Sequence, residues 1–147
     1  LGVYNPTLML PLISVLKSLG SESVMLVHGQ DGIDELTVTG TSYTTSLHEG
    51  QVTSGSITPE DVGLSTWELP TLLGGDAQAN AAALREVLAG AKGAYRDAVL
   101  MNAAAGLVVA NRVDDLSTGV MLASEAIDSG RAADTLATLI KVSNGGE

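Results

Sequence analysis

The run Ser23-Val24-Met25-Leu26-Val27-His28 constrains this chain more than any other stretch. Four successive apolar residues leave no polar face, so a strand here must be covered on both sides, as in a parallel α/β sheet. The segment before it reads as a helix. Asn5-Pro6-Thr7 is a start signal, a capping residue followed by Pro in the first turn. Leu8, Leu12, Leu16 and Leu19 then recur at helical spacing, with Lys17 near the end and Gly20 as the stop. Pro11 is tolerated in or near the first turn. A helix followed by a buried strand is half of an α/β unit.

Where that strand ends, Val27-His28-Gly29-Gln30-Asp31-Gly32-Ile33-Asp34-Glu35-Leu36 places three carboxylates, one imidazole and two glycines in a loop. Open α/β sheets bind ligands beyond the carboxyl ends of their strands. Adjacent Asp34 and Glu35 suit a hard divalent cation such as Mg²⁺, which takes one or two carboxylates and completes its shell with water and phosphate. An ordinary turn, with Asp and Gly chosen for backbone geometry and Glu35 solvated, fits the same residues.

Leu36 to Leu47 is rich in Thr and reads as a strand, with Gly40 at a bulge or turn. His48-Glu49-Gly50 reads as a hairpin turn, and Gln51 to Ile57 as a half-polar edge strand. His48 is a turn residue here rather than a ligand. Thr58-Pro59-Glu60-Asp61 starts a helix that Gly63 ends at once, and Trp67 plugs the connection against the core. Leu73-Gly74-Gly75-Asp76 lacks the Lys and the strand of a phosphate loop; Asp76 is the N-cap of the next helix. From there the chain reads as helices: one over 77–88, a second opened by Lys92-Gly93 and Tyr95-Arg96-Asp97 and running through Ala110, then 114–129 and 131–142, with 143–146 fraying. The run Ala98 to Ala110 is apolar nearly all round, so it reads as buried, and Ala103 to Gly106 are small enough for close approach. Arg96 and Asp97 read as cap and charge balance at a helix start, and Asn102 as a buried amide bonded to backbone.

Composition excludes several functions. The net charge of −10 argues against nucleic acid and, more mildly, against anionic membranes. The chain has no Cys, which removes disulfides, thiolate metal sites and cysteine nucleophiles together. No apolar run approaches the ~18 residues of a membrane span. With no secretory pattern, a cytoplasmic location is the default. There is no Phe, so the core must be largely aliphatic. The opening Leu1-Gly2-Val3-Tyr4 reads as the middle of a longer protein. No Ser/His/Asp set, zinc-spaced His pair or EF-hand spacing is present.

Four blocks in order carry a family likeness: Val27 to Leu36, Leu73 to Ala81, Arg96 to Ala105 and Ala126 to Ala132. Together they strongly resemble the C-terminal part of the anthranilate phosphoribosyltransferases, and the likeness covers essentially the whole chain. It implies transfer of a phosphoribosyl group from phosphoribosyl pyrophosphate to the amine of anthranilate, releasing pyrophosphate, with Mg²⁺, in tryptophan biosynthesis. It implies a nucleoside phosphorylase/phosphoribosyltransferase-like α/β fold, a mixed sheet with flanking helices. Residues 1–147 would be the C-terminal portion of that α/β domain, in an enzyme that is a homodimer when intact.

In the family motif the adjacent Asp-Glu pair contributes to a Mg²⁺ site, which carries over to Asp34 and Glu35. His28 and Asp31 match the motif as residues that orient the pair or line the loop. The family's glycine-rich diphosphate loop, its K-H-G-N-R segment and its anthranilate-contacting arginine have no counterpart here. The resemblance therefore implies no turnover by these residues alone. Two rivals share the fold: a pyrimidine-nucleoside phosphorylase-like enzyme, which the Asp-Glu pair disfavours, and a non-catalytic nucleic-acid-binding relative, which the charge disfavours. A bare sheet edge is also a pairing hazard, so self-association of the isolated piece is expected.

Overall fold

The computed structural model describes residues 1–145; Gly146, the last residue of the expected frayed end, lies outside them. The chain runs through α1 (Met9–Ser18), β1 (Ser23–Gly29), β2 (Ser42–His48) and β3 (Gln51–Ile57). It then forms α2 (Ala77–Leu88), α3 (Ala94–Val109), α4 (Leu116–Asp128) and α5 (Arg131–Ser143). Helix starts follow their capping chemistry. Asn5 accepts the Thr7 N–H at 3.0 Å in the 3₁₀ turn Pro6–Leu8 that leads into α1, Asp76 that of Ala79 at 2.8 Å at the start of α2, and Asp115 that of Thr118 at 2.8 Å at the start of α4. Each satisfies a donor that a first turn leaves free. Among the described residues no helix is long and apolar enough to cross a membrane.

The strands form one sheet in chain order, and both pairings are antiparallel. Glu49 and Gly50 join β2 to β3 with φ of 48° and 76°. A two-residue turn with both φ positive matches the twist of its strands. His48 pairs with Gln51 beside this turn, as a turn-flanking residue should. The parallel setting expected for β1 is corrected: β1 runs antiparallel to β2 from Ser23–His48 to Gly29–Ser42, and its parallel contact is a single bridge from Val27 to Gly2 on the other edge. An apolar run reports burial on two faces, not the direction of its neighbour.

That burial is present. Leu26 packs with Val3, Met9, Ile13 and Leu47 on the α1 side. Its neighbour Val27 packs with Leu36, Val38 and Met101 on the α3 side. Successive strand residues point to opposite faces, so β1 lies between two helical layers. A third cluster joins α3 to α2 and α4 through Leu100, Ala104, Val87, Val120, Ala123 and Ile127. Ala104 meets Gly119 of α4 so closely that a Cβ on Gly119 would lie 2.8 Å from the Ala104 Cα.

Two further expectations change. The strand expected from Leu36 begins only at Ser42. Residues 36–41 are irregular because side chains take the backbone's bonds: Ser42 Oγ accepts the Thr37 N–H at 2.9 Å, and Thr37 Oγ1 accepts the Thr39 N–H at 3.0 Å. Such local bonds compete with a ladder. The burial expected all round α3 holds on one side. Leu100, Met101 and Ala104 are buried, whereas Val99, Ala103 and Gly106 are exposed among the described residues. Small side chains carry little apolar area, so a stripe of them stands in water at low cost.

Candidate active site

The loop between β1 and β2 is built around Asp31. One carboxylate oxygen accepts the hydroxyls of Thr37 and Thr39, each at 2.7 Å, and the other accepts the Ile33 N–H at 3.3 Å. Partial burial acts to raise the Asp31 pKa, but the hydrogen bonds from Thr37, Thr39 and the backbone N–H groups of Ile33 and Asp31 together outweigh it and hold the carboxyl below its ordinary value of 3.8. His28 is buried at the end of β1. Its Nδ1–H donates to the Val3 carbonyl at 2.8 Å, and its ring stacks on Tyr43 with 6.5 Å between centroids. His28 thus ties the segment around Val3 to the strand, while Asp31 closes the loop on itself.

Asp34 and Glu35 follow, both exposed, at a cleft of about 530 Å³. Gly2, Met25 and Val27 line one side of it, and Asn102, Ala105, Gly106 and Val109 of α3 line the other. No Lys or Arg lines the cleft among the described residues, and no ion pair among them engages either carboxylate. The backbone beside the pair is gripped from α3. Asn102 Oδ1 accepts the Leu36 N–H at 3.0 Å, and Asn102 Nδ2 donates to the Leu36 carbonyl at 2.8 Å and to the Ala98 carbonyl at 3.0 Å. The expected backbone-bonded amide is therefore present, and its partner is the residue after Glu35. On the other side, Gly2 abuts Asp34: a Cβ on Gly2 would overlap the Asp34 carbonyl oxygen, so only glycine fits there.

Neither Arg96 nor Asp97 caps α3; Asp97 does stand in its first turn, where a negative charge suits the helix start, but both side chains bond to distant partners. Asp97 accepts the Trp67 indole N–H at 2.8 Å, and the Trp67 ring packs on the cluster of Val27, Leu36, Val38 and Met101, so Trp67 closes its connection as expected. Arg96 is buried and donates from Nη2 to Ser124 at 2.7 Å and to Asp128 at 2.8 Å, fastening α3 to α4. Desolvation acts to raise the Asp128 pKa, but the bonds from Arg96 and Ser124 and the positive charges of Arg96 and Lys92 together outweigh it and hold the carboxyl below its ordinary value. Arg96 Nη1 is buried with no hydrogen-bond partner among the described residues. The available signal was position: a cation opening a long apolar run needs an acid somewhere, but Asp128 lies 32 residues away.

Among the described residues no three His, Asp or Glu side chains converge as a complete metal cage. Two exposed, adjacent carboxylates are nevertheless a donor set that fits Mg²⁺, which keeps several waters and shares the rest of its shell with substrate phosphates. A cleft with acid and no cation suits a phosphate-bearing ligand only when a cation accompanies it.

Residues 1–133 match the family described as "Glycosyl transferase family, a/b domain", and the chain belongs to that family. The chain is 53% identical over 144 residues to anthranilate phosphoribosyltransferase of Bradyrhizobium diazoefficiens, across 98% of this chain and 43% of the relative. It is similar to the crystal structure of anthranilate phosphoribosyltransferase from Thermus thermophilus, at 38% identity and a TM-score of 0.81, over 90% of this chain and 39% of that one. It is also similar to the Saccharomyces cerevisiae enzyme in complex with PRPP and Mg, at 27% identity and a TM-score of 0.79, over 92% of this chain and 38% of that one. The chain thus spans about two-fifths of the length of the relatives it matches.

Proposed function

We propose that residues 1–147 are the C-terminal portion of the α/β domain of an anthranilate phosphoribosyltransferase. The observation that carries this reading is 53% identity over 98% of the chain to a relative of that name. The acidic cleft supports it chemically. In the reaction, the bond between the amine nitrogen of anthranilate and C1 of the ribose forms as the bond from C1 to pyrophosphate breaks, and the amine gives up a proton. Asp34 and Glu35 would hold Mg²⁺ there. When bound, the ion neutralises the charge that builds on departing pyrophosphate.

The chain's own residues position and enclose. Asp31 fixes the loop through Thr37, Thr39 and Ile33, and His28 holds the Val3 segment that abuts Asp34 through Gly2. In this way both orient the carboxylate pair without reaching the substrate. The apolar wall of Val27, Ala105 and Val109 keeps water from part of the cleft. In the same reading the complete enzyme is a homodimer, a state that sedimentation measures. It works in the cytoplasm, because both substrates are charged and do not cross a bilayer unaided.

The test follows loss of anthranilate fluorescence with phosphoribosyl pyrophosphate and Mg²⁺, using the complete enzyme and its Asp34→Asn/Glu35→Gln variant. Fast loss in the parent and slow loss in the variant are expected. No loss in the parent overturns the activity, and equal rates overturn the metal assignment alone. The 147-residue chain assayed by itself gives no turnover, because it offers phosphates no cationic side chain in the cleft.

A further inference from the structure

We infer that Asn102 is a positioning residue for the carboxylate pair: by bonding both backbone polar groups of Leu36, it fixes the direction in which Asp34 and Glu35 face the cleft. The inference rests on the reading of that pair as a metal site.

Its geometry is specific. An amide that donates and accepts against one residue's N–H and C=O imitates a partner strand, at 3.0 Å and 2.8 Å here. The residue gripped is the next after Glu35, within a loop whose own bonds are spent on Asp31. Asn102 also donates to the Ala98 carbonyl at 3.0 Å, which locks its side chain against its own helix. The grip therefore transmits the position of α3, a 16-residue helix, to the loop. The other side is blocked, since Gly2 leaves no room for Asp34 to retreat. Leu36 is itself 1% exposed, so its side chain supplies an anchor while Asn102 sets the rotation about it. Rotation is what matters for a cation held by two side chains on successive residues. Groups that orient a ligating carboxylate typically alter metal affinity about 10- to 100-fold when removed.

The grip also separates two roles. Asn102 lines the cleft, but its Nδ2 and Oδ1 are occupied by backbone. Both Nδ2 hydrogens are thus spent on backbone, which leaves no donor for the anthranilate carboxylate, so loss of Asn102 is expected to act on metal and diphosphate more than on the acceptor.

The experiment uses the complete enzyme with Mn²⁺ as probe, enzyme-bound ion being read as the loss of the free Mn²⁺ paramagnetic resonance signal beyond that caused by the same concentration of phosphoribosyl pyrophosphate without enzyme. Asn102→Leu keeps the volume and removes all three bonds; Asn102→Ala removes them without adding a charge to the cleft. Mn²⁺ affinity is expected to fall at least about tenfold in each folded variant, with the KM for anthranilate changed less than about twofold. Should Asn102→Leu fail to fold, Asn102→Ala decides. Unchanged Mn²⁺ affinity in a folded Asn102 variant overturns the positioning role. The Asp34→Asn/Glu35→Gln variant separates the two levels. If it too binds Mn²⁺ like the parent, the metal reading has failed and the positioning role with it. If it loses the ion while Asn102→Leu does not, only the positioning role has failed.

Discussion

Leu36→Ala tests how rigidly the loop is held. Leu36 is 1% exposed among Val27, Val38 and Met101. The substitution removes three carbons, worth roughly 2.4 kcal/mol at about 0.8 kcal/mol per buried methylene. Any further cost depends on whether the space left behind can close. Both backbone polar groups of Leu36 are bonded to Asn102, so the loop cannot sink toward α3 to fill it. A persisting void of roughly 80 Å³ adds about 2 kcal/mol at about 24 cal/mol per Å³. The expected loss is therefore about 4 kcal/mol. With an m-value of about 2 kcal/mol/M, the urea midpoint falls by about 2 M. Trp67, the chain's sole Trp, packs on the same cluster and reports the transition by fluorescence. A loss below roughly 2.4 kcal/mol, the transfer part alone, would refute the reasoning, since the loop would then have collapsed despite the Asn102 grip. Combining Leu36→Ala with Asn102→Leu frees the loop to close, so the pair should cost less than the sum of the singles.

Two other outcomes rest on the charged groups. Asp31 has a lowered pKa in the folded chain, so its stabilisation is fully present above the ordinary value of 3.8 and is lost as pH falls through the lower folded value; Asp31→Asn should reduce the slope of stability against pH in that acid window, measured by urea titration. Arg96→Met removes a buried cation and its unpartnered Nη1 together with two bonds. Because the costs and gains of a buried charge nearly cancel, its melting temperature should stay close to the parent's, whereas Arg96→Ala, which also loses the packing of the stem, should melt well below both.

The parts of this fold that were legible were those written locally. Asn5 and Asp76 bond to donors two and three residues on, so the starts of their helices could be read from neighbours alone. The Val24–Val27 run announced two covered faces, which α1 and α3 supply. Strand direction was not legible, since β1 has an antiparallel partner on one edge and a parallel bridge on the other. Thr37 and Thr39 look like strand residues by their branching, yet their hydroxyls serve Asp31, which breaks the ladder until Ser42. The same distinction divides the site. Asp34 and Glu35 are adjacent in the chain and could be singled out together. Asn102 grips Leu36 across 66 residues of sequence and Arg96 reaches Asp128 across 32. No spacing rule encodes such pairs; they arise from how α3 lies against the loop and against α4.

The contact between Ala104 and Gly119 bears on motion. The two backbones approach so closely here that a side chain on Gly119 would collide with Ala104, so sliding one helix along the other would bring larger residues into that contact. Arg96 adds a second fastening nearer the start of α3. Helices α3 and α4 therefore travel as one body, and Asn102 travels with them. Any opening of the cleft is then taken up outside this pair of helices and not by sliding between them.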